Sequence, residues 1–307
     1  MEKTAKETVK LLEALLSDSL LKGGLALFLI VVADGFWSLV FRLLGGNGES
    51  FLFTSETLSK LKELLSYTWG SEPASGVVSL ITFFLLYLTL WSVGTVIQVL
   101  RQPLVYEKLK TSYKPWLLIE TSVVRRYYEL VERVVPTLGT AGECQQPGKL
   151  LTTCYGYSDY LLYQLLAVKG FKPKERAAEE FDSLSFLWSG SALVVPITLI
   201  PYIRGCPGLT VTFSLVFALL VMVALLPAEA PPMEPVTFTA VTFLAAAVFI
   251  LLAKLNGSPL PLTVSAACLF LTLWQLGVSL TAHRLLSRNL RQLIAYCYNS
   301  SNQKQEG

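Results

Sequence analysis

The fold of this chain is decided by a polar block, residues 101–186, which begins RQPLVYEKLKTSYKPW (101–116) and ends KERAAEEFDSLSF (174–186). It is the only long polar stretch between apolar segments, so it divides the chain into two membrane parts. Two apolar runs of about 20 residues, the length that a helix needs to cross a bilayer, precede the block, and four follow it. The sequence therefore predicts an all-α, polytopic membrane protein with about six transmembrane helices and a cytosolic helical insert.

The composition favours a bilayer and excludes several classes of protein. Hydrophobic residues make up 53% of the chain and charged residues only 15%, against roughly a quarter charged in soluble domains. The net charge of +3 is too small to indicate nucleic-acid binding, so we expect no nucleic acid among the partners. Five cysteines without a C-x-x-C pair, and a single histidine (His283), favour free thiols and argue against a metal site. We therefore expect no metal and no cofactor.

The six apolar runs fall into two groups. The first membrane part, residues 24–100, contains two runs and the second, residues 187–282, contains four. The six runs are 24–44, 77–100, 187–203, 209–226, 236–255 and 260–282. The third run holds Pro196 and Pro201, and two prolines in one span predict a kink or a break, which would make them a hinge.

The orientation follows from lysine and arginine near the ends of the spans. These residues concentrate in the N-terminal segment, in the insert, which has twelve, and in the C-terminal tail. With six spans all three lie on one side, so we expect both termini and the insert in the cytosol and the protein in the inner, cytoplasmic membrane. Residues 227–235 conflict with this orientation, because they should also be cytosolic but carry Glu229 and Glu234 and no positive charge. A re-entrant or missing span would remove the conflict.

Helices are also predicted outside the spans. Residues 1–23 form an amphipathic helix that either lies in the membrane interface or packs on the insert, and the tail, 283–307, begins with a short amphipathic helix. In the insert, helices are predicted over 116–135 and 150–168. A further helix, starting at Pro173, is predicted to run without a break into the third span, where it could act as a lever.

Asp34 is the strongest single candidate for a functional residue in the spans. It lies near the middle of the first run, in ADGFW (33–37), where an ionisable side chain is costly and must face protein or water, or be protonated. As a functional residue it is a proton relay, a cation ligand or a gate. As a structural residue it bonds a serine or threonine on a neighbouring helix. Other polar residues of the spans that could line a path or join helices are Gln98, Thr198 and Gln275.

The insert carries a basic set of residues that could bind an anionic ligand, lipid headgroups or a protein partner. The basic set consists of Lys108, Lys110, Lys114, Arg125, Arg126 and Arg133. Within it, Arg125 and Arg133 lie four residues either side of Glu129, so the three form a charged ridge on one helix face. Other faces of this helix are expected to form a core from Val123, Tyr127, Leu130 and Val134. The alternative for the basic set is an ordinary solvated cytosolic surface.

Part of the insert resembles a group of uncharacterised bacterial multi-pass membrane proteins. VPTLG (135–139) followed by YGYSD (155–159) resembles their pattern, in which a Pro-Thr-x-Leu-Gly turn precedes a Tyr-Gly-x-Asp segment and a helix that re-enters the membrane. Similarity to the same group extends to Tyr106, Tyr113, Trp116 and RRYY (125–128). The resemblance covers residues 100–190 and implies the layout of an insert between two membrane parts, without implying any chemistry.

These features predict a non-enzymatic membrane effector or channel-like protein. A cytosolic signal, protein or small ligand would bind the insert, residues 101–186, and gate or perturb the bilayer through the hinged third span. An enzyme is not expected, because paired carboxylates and metal-binding histidines are missing from the spans. A channel built from so short a chain needs several copies around one axis, so we expect a homo-oligomer. The alternatives are a membrane anchor or scaffold that recruits soluble partners through the insert, and a small-solute or ion transporter, which would need internal repeats.

Overall fold

The computed structural model describes residues 2–45, 50, 59, 63, 73–110, 112–134, 159–168, 170, 183–226, 231 and 233–303 of the chain. The described part is 89% helical and contains no strand, which confirms the prediction of an all-α fold. The helices with described bounds are α1 (Glu2–Leu43), α2 (Pro73–Arg101), α3 (Ser122–Val134), α4 (Asp159–Val168), α5 (Ser183–Ile203), α6 (Pro207–Leu225), α7 (Pro235–Asn256) and α8 (Leu260–Gln303).

Five of the described helices are long and apolar enough to cross a membrane. Their apolar segments are Leu21–Leu43, Ser185–Ile203, Pro207–Leu225, Pro235–Asn256 and Leu260–Asn299. They correspond to the first and the last four apolar runs of the sequence. The second run corresponds to α2, a helix of 29 residues in which Arg101 is the only charged side chain.

α8 is the element against which most of the others pack. Among the long helices, α2 packs against α1, α1 against α5, α5 against α8, and α8 against α7. The two α-helices described in the insert, α3 and α4, pack on α8 as well. One hydrophobic core therefore follows α8, and it includes Phe270 and Trp274 among the candidate spans, Leu293 near the end of α8, Tyr127 of α3 and Leu166 of α4.

α8 is a single helix of 44 residues, about 66 Å long at 1.5 Å per residue. The sequence predicted a span over 260–282 followed by a separate short helix, and the structure replaces both with one continuous helix. The physical reason is the absence of breakers from this stretch of sequence. Pro261 lies in the first turn, where proline is tolerated, and Gly277 is the only glycine of the helix. The tail, as far as Gln303, is thus the C-terminal part of a helix that begins among the candidate spans.

α1 is also continuous. The sequence predicted an amphipathic helix in residues 1–23 and a separate span, but the helix Glu2–Leu43 passes through Gly23 and Gly24 without a break. Gly23 permits a close approach instead, because a Cβ built there would lie 2.9 Å from the Cβ of Leu90 on α2. Small residues at such crossings let two helix backbones approach each other.

The predicted hinge does not break its helix. α5 runs through both Pro196 and Pro201 as one helix. The lever predicted from Pro173 falls largely on residues 171–182, which lie outside the described residues, as does the 151–158 part of the helix predicted over 150–168.

The helix predicted over 116–135 is shorter in the structure. α3 begins only at Ser122, and residues 117–121 are not helical. Its buried residues are Val124, Tyr127, Val131 and Val134, spaced as one helical stripe. Val123 is therefore exposed and Leu130 only half-buried, which corrects their expected place in the core.

Candidate functional site

The most highly connected polar site lies where the insert meets α8. Asp159, the first residue of α4, is buried and accepts three hydrogen bonds. The Tyr113 backbone N–H lies 2.9 Å from Oδ2, the Tyr127 hydroxyl 3.1 Å from Oδ1 and the Tyr128 hydroxyl 3.1 Å from Oδ2. Both oxygens of the carboxyl group are therefore engaged, as a buried carboxyl requires.

Asn289 of α8 completes the site. Its Nδ2 donates to the Tyr113 hydroxyl at 3.1 Å and lies 3.5 Å from the Asp159 backbone oxygen. We call Tyr113, Tyr127, Tyr128, Asp159 and Asn289 the tyrosine–aspartate cluster. It joins the segment before α3, α3 itself, α4 and α8 in one hydrogen-bond network, so it fixes the insert to the long helix.

The electrostatics of the cluster are dominated by burial. Burial raises the pKa of the Asp159 carboxyl above its usual range, and the hydrogen bonds that it accepts oppose this rise. Burial, followed by the nearby Asp159 carboxylate, also raises the pKa values of Tyr113, Tyr127 and Tyr128. The hydroxyls of Tyr127 and Tyr128 therefore remain donors to Asp159, whereas the Tyr113 hydroxyl accepts from Asn289 and only its backbone N–H donates to the carboxyl group.

We expect the insert to lose stability as the pH rises through the pKa of Asp159. Because that pKa is raised in the folded protein, the stabilisation is full below the ordinary aspartate pKa and is lost as the pH rises through the raised value. The titratable and charged groups that face Asp159 or its donors are Tyr113, Tyr127, Tyr128, Tyr163, Lys114 and Arg288. Thermal unfolding of the full chain in detergent at about pH 5 and about pH 8 measures this difference.

Asp159→Asn cannot ionise, so it should flatten the difference between the two pH values. Glu132 is an exposed acid on the neighbouring α3, and Glu132→Gln should retain the pH dependence of the native chain. A native protein that unfolds at the same temperature at both pH values would contradict the assignment.

Asp34 is buried and joins two segments. The Tyr202 hydroxyl donates to Oδ1 of Asp34 at 2.7 Å and lies 3.0 Å from its backbone oxygen, and the Ser50 hydroxyl donates to Oδ2. The Phe41 ring stacks on Tyr202 with 5.1 Å between centroids. Tyr202 is the penultimate residue of α5, so Asp34 lies at the level where α5 ends. This geometry supports the structural alternative, in which Asp34 joins α1 to α5.

We expect Asp34→Asn to leave the free energy of unfolding nearly unchanged, because the amide oxygen still accepts from Tyr202. Asp34→Leu removes the carboxyl acceptor but leaves the Tyr202 hydroxyl the backbone oxygen of residue 34, so it should destabilise the protein by about 0.5–1.5 kcal/mol, the net value of a typical hydrogen bond. Thermal unfolding in detergent measures both. Tyr202→Phe removes the same bond from the other side, so its effect should not add to that of Asp34→Leu. An asparagine variant as unstable as the leucine variant would refute this role.

Thr198 bonds to its own helix. Its Oγ1 lies 3.0 Å from the carbonyl oxygens of both Val194 and Val195, an arrangement that satisfies the hydroxyl within the helix. The indole of Trp37 on α1 donates to the same Val195 carbonyl at 2.7 Å. This bond fixes α1 to α5 one residue before Pro196.

Gln98 and Gln275 are engaged at separate places. Gln98 accepts a hydrogen bond from Arg101 at 3.4 Å, and Arg101, which is buried, also donates to the Ser185 hydroxyl. Gln275 is buried and donates to the Trp116 carbonyl at 3.2 Å. The polar residues predicted in the spans are therefore not assembled into one site.

Only part of the basic set of the insert is exposed on the surface. Its exposed members are Lys110, Lys114, Arg125, Arg126 and Arg133, and Lys110 forms an ion pair with Glu107 at 2.6 Å. Lys108 is buried, and its ammonium donates to the backbone carbonyl of Leu226 at the end of α6. This corrects the expectation that Lys108 belongs to the exposed face. The unpaired carbonyls at a helix C-terminus are a favourable place for a lysine.

Asp159 and Asn289 are site residues that were not predicted from the sequence. Asp159 offered one signal, an acid immediately before an apolar, tyrosine-rich run, which is where a helix N-terminus favours a carboxylate. Asn289 offered a weaker one, a polar side chain on the helix that continues the last span. Nothing local pairs the two, because they lie 130 residues apart in the chain.

Among the described residues, no group of three or more His, Cys, Asp or Glu side chains is placed to hold a metal ion. Comparison with protein-family models, with curated proteins and with solved structures finds no match for this chain.

Proposed function

We propose that the protein is a non-enzymatic effector of the inner membrane, with six spans, whose cytosolic insert receives a partner and transmits binding to the bilayer through α8. The continuity of α8 carries this proposal. One helix packs against α5 and α7 among the candidate spans and against α3 and α4 of the insert. A displacement of the insert would therefore move a membrane helix as a rigid body, a common device of switching proteins.

Six spans are supported by α2. It has the length and composition of a span, and it packs closely along α1, since a Cβ on Gly94 would lie 2.9 Å from the carbonyl carbon of Lys22. With α2 as the second span, the basic residues of the N-terminus, insert and tail share one side, which the positive-inside rule makes cytosolic.

Lys108 supports the same orientation at residues 227–235, where the sequence conflicts with it. Residues 227–235 lack a positive charge of their own, but Lys108 binds the carbonyl of Leu226 immediately before them. The insert would thus supply the missing positive charge, which supports placing the C-terminal end of α6 on the side of the insert.

The exposed ridge of α3 is the proposed partner site. Arg125, Glu129 and Arg133 lie on one face of the helix, with Arg126 and Glu132 beside them, and all five are exposed. A mixed-charge face of this kind selects a partner with complementary charges and confers specificity more than affinity. We propose a cytosolic protein as the occupant.

The second candidate, a membrane anchor that recruits soluble proteins, is supported by the hydroxyls of the candidate spans. Many of them donate to a carbonyl one turn earlier in their own helix, among them Ser191, Thr198, Thr212, Ser214 and Thr239. Hydroxyls satisfied in this way need no water-filled path. Conduction, through one copy or through a homo-oligomer, has less support than recruitment.

Dye release from liposomes that hold the full chain separates the two candidates. The native protein is compared with the double variant Arg125→Glu/Arg133→Glu, each with and without a soluble cell extract. Lys254→Glu, an exposed charge reversal near the C-terminal end of α7, is the matched control.

Release that requires the extract and is lost only in the double variant supports the effector. Extract protein that stays on native vesicles without dye release, and is lost in the double variant, supports the anchor. Release or retention that the double variant does not change would overturn the assignment of the α3 ridge.

A further inference from the structure

Residues 102–121 belong to the polar insert by composition, yet they lie against the part of α8 that is apolar enough to cross a membrane. Their backbone is irregular. It consists of a π-helical turn (Gln102–Tyr106), two 3-10 turns (Glu107–Leu109 and Lys114–Trp116) and the non-helical residues 117–121.

Hydrogen bonds show where this segment lies along α8. The Trp274 indole donates to the Leu104 carbonyl at 2.8 Å, and Gln275 donates to the Trp116 carbonyl at 3.2 Å. The rings of Trp116 and Trp274 also meet edge to face, with 6.0 Å between centroids. The segment therefore reaches the level of residues 274–275.

The depth of that level can be measured from a second contact. Arg101 of α2, Ser185 of α5 and Thr281 of α8 are joined by hydrogen bonds, so they mark one level. Ser185 also lies three residues after Asp182, the last charged residue before the apolar run of α5. Gln275 precedes Thr281 by six residues, which places it about 9 Å further into the bundle at 1.5 Å per residue.

Irregular backbone at that depth is tolerated only where protein satisfies its polar groups, because lipid offers no hydrogen-bond partner. α8 supplies two such partners four residues apart, which places them on one helix face. Gln275 donates to the Trp116 carbonyl at 3.2 Å, and Ser279 accepts from the Leu118 N–H at 3.0 Å. The segment in return covers a polar stripe of α8 that would be costly to expose to lipid.

We infer that this segment, described over 102–110 and 112–121, is re-entrant: it dips into the cytosolic leaflet at Leu104 and Trp116, returns to the level of Asn289 at Tyr113, and contacts lipid through Ile119. Ile119 is 66% exposed and follows the half-buried Leu117 and Leu118. The Leu118 N–H donates to Ser279, which lies within one turn of Thr281, so the side chain of Ile119 lies at the edge of the apolar layer. At that level the acyl chains of lipid contact the isoleucine side chain, which would otherwise be exposed to water.

The inference rests on the orientation in the proposed function, and lipid crosslinking tests the two separately. The photoreactive amino acid p-benzoylphenylalanine replaces Ile119 in the full chain, which is reconstituted in vesicles of phosphatidylethanolamine and phosphatidylglycerol and irradiated. Lipid adducts are counted by the mass of the intact protein.

Two other positions serve as the positive and the negative control for lipid crosslinking. Leu219 of α6 is 65% exposed within a candidate span, and Arg133 is exposed near the end of α3, close to Cys297 of α8. The expected result is adduct formation at 119 within about threefold of that at 219, and more than tenfold above that at 133, where no lipid is within reach.

Adducts at 219 but not at 119 would overturn the re-entrant segment and leave the membrane orientation standing. Adducts at neither 119 nor 219 would overturn the membrane placement as well. Equal adducts at 119 and 133 would overturn the inference, since the label would then be reporting contact with the bilayer surface in general.

Discussion

Replacing Gly277 with leucine is expected to force α5 away from α8 and to destabilise the candidate membrane bundle. A Cβ at this position would lie 3.0 Å from the Cα, Cβ and N atoms of Ser189, and a backbone cannot yield as a flexible side chain can. Ser185 and Ser189 on α5 face Gly277 and Thr281 on α8, the spacing of small residues that lets two helices pack closely. Overpacking of this kind costs about 1–3 kcal/mol, and a leucine at a backbone contact lies at the upper end.

The measurement is the thermal unfolding temperature of the full chain in detergent, followed by circular dichroism. Gly35→Leu is the matched control, because Gly35 lies inside α1 and a Cβ there meets no atom within 4 Å. Equal unfolding temperatures for the two variants would show that the α5–α8 crossing is not close in solution.

Replacing Asp159 with alanine is expected to release the insert from α8. The substitution removes the acceptor of two buried donors, the Tyr113 N–H and the Tyr127 hydroxyl, and of the half-buried Tyr128 hydroxyl. Each buried donor left without an acceptor costs about 1–3 kcal/mol, and both act on the same interface, so the loss is large relative to the stability of a small helical domain.

Limited proteolysis detects this release, because α3 and α4 should become accessible while the candidate spans stay protected. Asp159→Asn keeps an acceptor oxygen and should be cleaved at an intermediate rate. Glu132→Ala removes an exposed acid from the same region and should be cleaved like the native chain. Cleavage of Asp159→Ala at the native rate would show that the cluster does not hold the insert.

Two of the long helices, α6 and α7, could be predicted from the sequence to within two residues at each end. The runs at 209–226 and 236–255 correspond to α6 (Pro207–Leu225) and α7 (Pro235–Asn256). Apolar length and the prolines and glycines that bound it are local properties, so a reading of consecutive residues recovers them. The same reading divided α8 into two elements, because the change from apolar to polar residues near 283 suggested a boundary where no helix breaker exists.

The site could not be predicted in the same way. Asp34 was identified as costly from its place in an apolar run, but its partner Tyr202 lies 168 residues away. Lys108 looked like one more exposed lysine until the end of α6 was placed beside it. In both cases the sequence indicates that a polar group needs a hydrogen-bond partner, and only the packing of the helices shows which group is that partner.

Consecutive residues are enough to predict that the chain is helical, that long apolar segments flank a polar block, and which segments these are. Only the packing of the chain shows that α8 belongs to both parts of the molecule, that Asp159 and Asn289 meet, and that residues 102–110 and 112–121 lie against the apolar part of α8. Hydrophobic length is summed along consecutive residues, whereas the satisfaction of a buried carboxyl, ammonium or carbonyl depends on atoms that the fold brings from distant positions.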